Sequence, residues 1–113
     1  MHLTFVHTQV FVDDCRRLRM DDDDVQALEQ LIMERPQGGA VMQGTGGLRK
    51  IRFAPPSWHT GKSGATRVCY IIFVEAETCY LVTVFAKNEK PNLSRAERTA
   101  VRQWVDATRR LHS

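Results

Sequence analysis

The sequence predicts a single α+β domain spanning residues 1–113: an antiparallel or mixed β-sheet packed by an N-terminal helical pair and a C-terminal helix. Three observations predict it. Residues 46–89 hold three apolar runs, GGLRKIRF, then ATRVCYIIFV and ETCYLVTVFAKNE after a loop, each broken by turn residues as strands are. Two stretches before them, and one after, repeat apolar residues at helical spacing. A chain of 113 residues, 42% hydrophobic and 26% charged, can bury one two-layer core but not two independent ones.

In chain order, Leu3 to His7 is apolar enough for an edge strand, and Thr8 is placed to cap a helix reaching Cys15 or Arg17, with Phe11, Cys15 and Leu18 on one side. Met20 to Arg35 is the stronger helix, with Val25, Leu28, Ile32 and Arg35 on one stripe. Asp21 to Asp24 lie at its start, where unpaired N–H groups and the helix dipole favour negative charge. That run is read as capping, since a calcium loop needs a glycine at its sixth position and a distal Glu, and has neither here. Pro36 ends the helix, and Val41-Met42 is a brief extended segment.

Leu48 to Ala54 alternates, so Ile51 and Phe53 share a face with Arg49 while Lys50 and Arg52 project from the other, about 6–7 Å apart. Pro55 to Gly64 is a loop holding Trp58, His59 and Lys62. Trp58 is read as a loop anchor and His59 as a lesser candidate for acid–base or stacking work. Ala65–Glu75 and Cys79–Lys87 form a hairpin whose near-continuous hydrophobicity calls for cover on both faces, one by helices and the other by loops or a partner. Tyr70 and Tyr80 belong to its core. Ser94 and Glu97 make a capping box opening the last helix. Its stripe is Ala100, Val101, Trp104, Val105, Thr108 and Leu111, leaving Arg95, Arg98, Arg102, Arg109 and Arg110 to solvent or a partner. His2, His7 and His112 are expected at the surface.

Charge is unevenly spread. Residues 1–36 carry eight acids against four arginines, residues 37–90 seven bases against three acids, and residues 91–113 five arginines against two acids. A cationic majority beside an acidic helix points to a polyanion, with RNA or DNA first. Cys15, Cys69 and Cys79 are an odd set without C-x-x-C spacing, expected as buried thiols in a cytoplasmic protein. No signal peptide or membrane span is expected. The glycines of Gly44 to Gly47 precede a strand instead of opening a helix, and Gly61-Lys62-Ser63 lacks the first glycine of a P-loop.

Lys50, Arg52, Lys62, Arg67 and Lys87 can be gathered by antiparallel pairing. They lack the groupings of a metal site or a nucleophile motif, so no metal or other cofactor is expected. Such cations bind phosphate and offset charge developing on a phosphorane. Cleaving RNA requires the 2′-hydroxyl deprotonated, the phosphoryl oxygens neutralised and the 5′-oxygen protonated. A lysine among other cations sheds its proton more readily and can serve as the base.

At these residues the chain resembles the HigB-type branch of the RelE/ParE superfamily of bacterial toxins. The likeness is carried by QGTGGLRKIRF (Gln43 to Phe53), by the Gly/Lys/Ser-rich loop running into Arg67, and by FAKNEKPNLS (Phe85 to Ser94). The resemblance implies a RelE-like fold and the toxin of a type II toxin-antitoxin system, a ribosome-dependent endoribonuclease (mRNA interferase) that cleaves mRNA in the A site without metal and leaves a cyclic phosphate. It implies as partners a cognate helix-turn-helix, HigA-like antitoxin, the ribosome and its mRNA, with operator DNA reached only through the antitoxin. Carried over by position, the catalytic residues are Lys50 and Arg52 as proton acceptor and phosphate ligands, Arg67 as transition-state stabiliser, and Lys87 as the cation ending the last strand. Arg49, Lys62, Asn88 and Lys90 are the RNA-binding candidates. Asn88 stands where some RelE-type enzymes have arginine, Ser94 where they have a stacking tyrosine, and Phe85 where close relatives often have tyrosine. Two alternatives are a ParE-like inhibitor of DNA gyrase, whose relatives generally lack this basic set, and a non-catalytic nucleic-acid-binding module.

Overall fold

The computed structural model describes residues 2–59 and 66–112. Its elements run β1 (Thr4–His7), α1 (Gln9–Arg17), α2 (Asp22–Glu34), β2 (Ala40–Val41), β3 (Arg49–Phe53), β4 (Thr66–Phe73), β5 (Thr78–Ala86) and α3 (Arg95–Leu111), with 3-10 turns at Pro56–Trp58 and Val74–Ala76. The described strands form one sheet in the order β1-β5-β4-β3-β2. It is mixed: β1 runs parallel to β5, and the remaining pairs are antiparallel. This is the α+β arrangement expected from the sequence, and it is compatible with a RelE-like fold.

Both faces are covered. On one, Phe11 of α1 and Leu28 and Ile32 of α2 pack against Phe53, Val68, Tyr70, Leu81 and Val84. On the other, Val101, Trp104 and Val105 of α3 pack against Leu48, Cys69, Ile71, Phe73 and Val82. The cover expected from loops or a partner is thus supplied by α3, since a helix whose apolar residues recur every three to four positions buries them on the nearest oily sheet. Two members of that helix's expected stripe are not in the core. Leu111 is 80% exposed where α3 runs out, and Ala100 is exposed. Arg35 likewise lies outside its stripe, exposed at the C-cap of α2.

Local chemistry sets the helix starts. Thr8 Oγ1 accepts from the Phe11 N–H and donates to the Val82 carbonyl at 2.8 Å, capping α1 and docking it on β5 together. Asp21 and Asp24 exchange side-chain and backbone bonds in a capping box at α2. Asp24 is fully buried, and its carboxylate also accepts the N–H and hydroxyl of Ser57. Burial pushes its pKa up, yet the bonds from Ser57 and Asp21 outweigh burial and hold it below the ordinary value.

One irregularity positions everything that follows. The β4–β5 register slips between Cys69 and Tyr70, which face Thr83 and Leu81, so Val82 is an extra residue on β5. The slip inverts the alternation: Leu81 and Val84 both face α1 and α2, whereas Val82 and Phe85 both face α3. Asp14 of α1 accepts from the Val84 N–H and the Thr83 hydroxyl, tying down backbone beside the bulge. His112 departs from its expected surface place. It stacks on Phe73 with ring centroids 5.0 Å apart and bonds the Tyr80 hydroxyl at 2.9 Å.

Candidate functional site

Lys50, Arg52 and Arg67 emerge on the α3 face of the sheet. In the β3–β4 register Arg52 lies directly opposite Arg67, and in the β4–β5 register Arg67 lies opposite Phe85. Residues so paired have Cα atoms about 5 Å apart, and like charges in that relation repel. Along this face of β3 exposure falls from Arg52, which is exposed, through half-buried Lys50 to Leu48 at 0%. The helix therefore covers one end of the sheet face and stops short of the Arg52–Arg67 row.

The turn after β5 adds the next cation. Lys90 Nζ stands 5.1 Å from the centroid of the Phe85 ring and 2.6 Å from Glu97 Oε2. Glu97 also accepts the Ser94 N–H as half of the α3 capping box, so one carboxylate starts the helix and anchors the lysine. The Lys90 bond, followed by the Ser94 N–H, holds the Glu97 carboxyl below the ordinary glutamate value. Burial pushes the Cys69 thiol up to about 12, and the charges acting on it from this side are Lys50 and Lys90, which pull it down, and Glu97, which pushes it up. Cys69 itself is fully buried and lies opposite Lys50 in the β3–β4 register.

Lys87 and Asn88 are exposed at the tip of the same turn. Its conformation is fixed from behind: Glu89 accepts the Ala86 N–H at 2.8 Å and Arg17 Nε at 2.9 Å. The Arg17 bond, then the Ala86 N–H, pulls the Glu89 carboxyl below its ordinary value. Among the described residues, no side-chain hydrogen bond or ion pair engages Lys50, Arg52 or Lys87. Arg67, among the described residues, donates only to the adjacent Thr66 carbonyl, at 3.1 Å.

The other expected residues divide. Arg49 belongs to the opposite face, and its guanidinium donates to the carbonyls of Gln37 at 3.0 Å and Gly39 at 2.7 Å, so it braces the segment that leads into β2. Lys62 lies outside the described residues. Trp58 is an anchor, its indole N–H reaching the Leu18 carbonyl at 3.2 Å, while His59 is exposed.

The chain matches no known family model.

What the group can do follows from its side chains. The guanidinium forks of Arg52 and Arg67 match the oxygens of one phosphate, and Lys50 and Lys90 add point charges at its margin. Phe85, 1% exposed, is the buried ring beneath Lys90. Two contributors escaped the sequence reading: Glu97 as the holder of Lys90, and Phe85 as the buried ring on which Lys90 lies. The capping-box spacing marked Glu97, but its second role depends on the turn folding back. Phe85 depends on the bulge, which no pattern of apolar residues announces.

Proposed function

We propose that this protein is the toxin of a type II toxin-antitoxin system, a metal-independent endoribonuclease that cleaves mRNA on the ribosome. The observation that carries the proposal is the cross-strand pair Arg52–Arg67 on the α3 face of the sheet, with Arg52 exposed, Lys50 beside it and neither Arg52 nor Lys50 neutralised by a described acid. A sheet that sets two guanidiniums face to face accepts a repulsive contact that a dianionic transition state would relieve.

In this reading a phosphodiester lies across Arg52 and Arg67, which bind its non-bridging oxygens. Lys50 is the proton acceptor for the neighbouring 2′-hydroxyl. The 2′-oxygen then bonds to phosphorus as the bond to the 5′-oxygen breaks, the departing 5′-oxygen takes a proton from water, and a 2′,3′-cyclic phosphate is left. Lys87, exposed at the mouth, balances charge on the departing strand. Lys90 and Asn88 contact the flanking nucleotides. A HigA-like antitoxin neutralises the protein, and the acidic segment that such a partner would bring matches this basic surface.

The test is induced expression of the wild type, Lys50→Ala and Arg67→Ala, with primer extension on a translated message and on the same message with its start codon removed. Growth arrest with cuts only in the translated message, lost in both variants, supports the proposal. Arrest with DNA damage signalling and no cuts overturns it in favour of gyrase poisoning, and neither arrest nor cuts points to a binding module.

A further inference from the structure

Arg98 sits on the part of α3 that looks down on the sheet. It lies seven residues before Val105, which is 0% exposed, and seven residues return within about 20° of the same helical bearing. The adjacent residue on that bearing, Arg102, locates what the stripe faces: a Cβ built on Gly46 would stand 3.1 Å from Arg102 Cδ and 3.1 Å from Val105 Cγ1. From Gly46 the chain runs through Leu48 to Lys50 and Arg52. The helix, followed back toward its start at Ser94, travels in the same direction, toward Lys90 and Phe85. One turn back from Arg102, about 6 Å along the axis, half-buried Arg98 directly follows Glu97, the carboxylate that holds Lys90 in the charged group.

Its hydrogen bonding is unusual for that position. Arg98 Nε is buried and has no partner, and it is the one buried side-chain nitrogen or oxygen among the described residues in that condition. Other arginines that approach the fold are engaged: Arg17 with Asp14 and Glu89, Arg49 with two carbonyls, Arg102 with Asp106, and Arg109 with the Gly46 carbonyl. A guanidinium N–H withdrawn from water without an acceptor is costly. An anion entering the group would remove it.

We infer that Arg98 is a further phosphate ligand of the site, donating Nε–H to a non-bridging oxygen of the bound nucleic acid. The inference rests on the proposed ribonuclease reading for the identity of the anion, and on the geometry of α3 for the residue. It makes α3 a wall of the binding surface as well as the cover of the core.

The probe is a 2′-O-methyl hexaribonucleotide, which carries the phosphates but no attacking hydroxyl, followed by fluorescence anisotropy at low salt. Arg98→Met keeps the apolar stem and removes the donors; Arg98→Lys keeps the charge and removes the fork. For Arg98→Met the expected result is at least tenfold weaker binding with a melting temperature equal to or above that of the wild type. Arg98→Lys should recover only part of the affinity. Wild-type affinity in Arg98→Met, whatever its melting temperature, overturns the inference, as does wild-type affinity in Arg98→Lys should the methionine variant fail to fold. A wild type that binds neither the oligonucleotide nor inorganic pyrophosphate overturns both the inference and the ribonuclease reading. Tight binding that depends on Arg98, without cleavage on the ribosome, supports the inference and removes only the catalytic reading.

Discussion

Arg52→Gln removes one of two guanidiniums that the β3–β4 register sets opposite each other. Their stems extend from Cα atoms about 5 Å apart, so charge centres about 6 Å apart are a reasonable working separation. With a water-like dielectric the repulsion is about 0.7 kcal/mol, and physiological salt, with a Debye length of about 8 Å, roughly halves it. Allowing for some low-dielectric protein beneath the pair gives about 0.5 kcal/mol. For a domain of this size that corresponds to a rise of about 2 °C in melting temperature. Arg67→Gln should give a similar rise. The double variant should gain less than the sum, because the second substitution finds no repulsion left to relieve. Thermal melts of the four proteins at 0.05, 0.15 and 1 M sodium chloride form the assay, and the coupling should vanish at the highest salt, where the Debye length is about 3 Å. Additive melting shifts, or a coupling unaffected by salt, would show that the two arginines do not feel each other and refute the reasoning behind the site.

Other consequences can be checked with purified protein. Glu89 and Glu97 have folded pKa values below the ordinary 4.5, so their contribution to stability is complete above that value and is lost as pH falls through the folded pKa; urea melts between pH 6 and pH 3 should weaken, and Glu89→Gln should flatten the acid limb. Burial pushes Cys15 up to about 11 and Cys69 and Cys79 up to about 12, so all three thiols should ignore a thiol-reactive chromophore in the native protein and react promptly in guanidinium. Tyr70→Phe removes the acceptor of the Gly39 N–H, at 3.1 Å, and the donor to the Pro36 carbonyl, at 3.0 Å, and should cost about 1–3 kcal/mol by chemical denaturation. Gly39→Ala should be at least as damaging, since its Cβ would lie 2.8 Å from both Tyr70 Oη and Ile51 Cγ2.

Much of the fold is legible in the residues because each element announces itself by a local rule. Alternation around Ile51 and Phe53 sets which side of β3 carries Lys50 and Arg52, and the Ser94–Glu97 spacing marks the start of α3 to the residue. What stays hidden is long-range. That Phe85 turns toward α3 follows from one extra residue in β5, and nothing near Val82 distinguishes a bulge from regular strand. Arg49 and Lys50 are equally basic neighbours, yet one is engaged by the carbonyls of Gln37 and Gly39 because β2 brings that segment alongside. Arg98 reads as one more solvent-facing arginine until the helix is laid on the sheet and its bearing coincides with that of Val105.

The parallel pairing of β1 with β5 joins residues 4–7 to residues 78–81, across most of the chain. During synthesis the first strand therefore waits, without a partner, until nearly all of the sheet has been made. The charged group needs more still, because Lys90 is held only once Glu97 has entered α3. An incomplete nascent chain holds the pieces of this surface but not its arrangement.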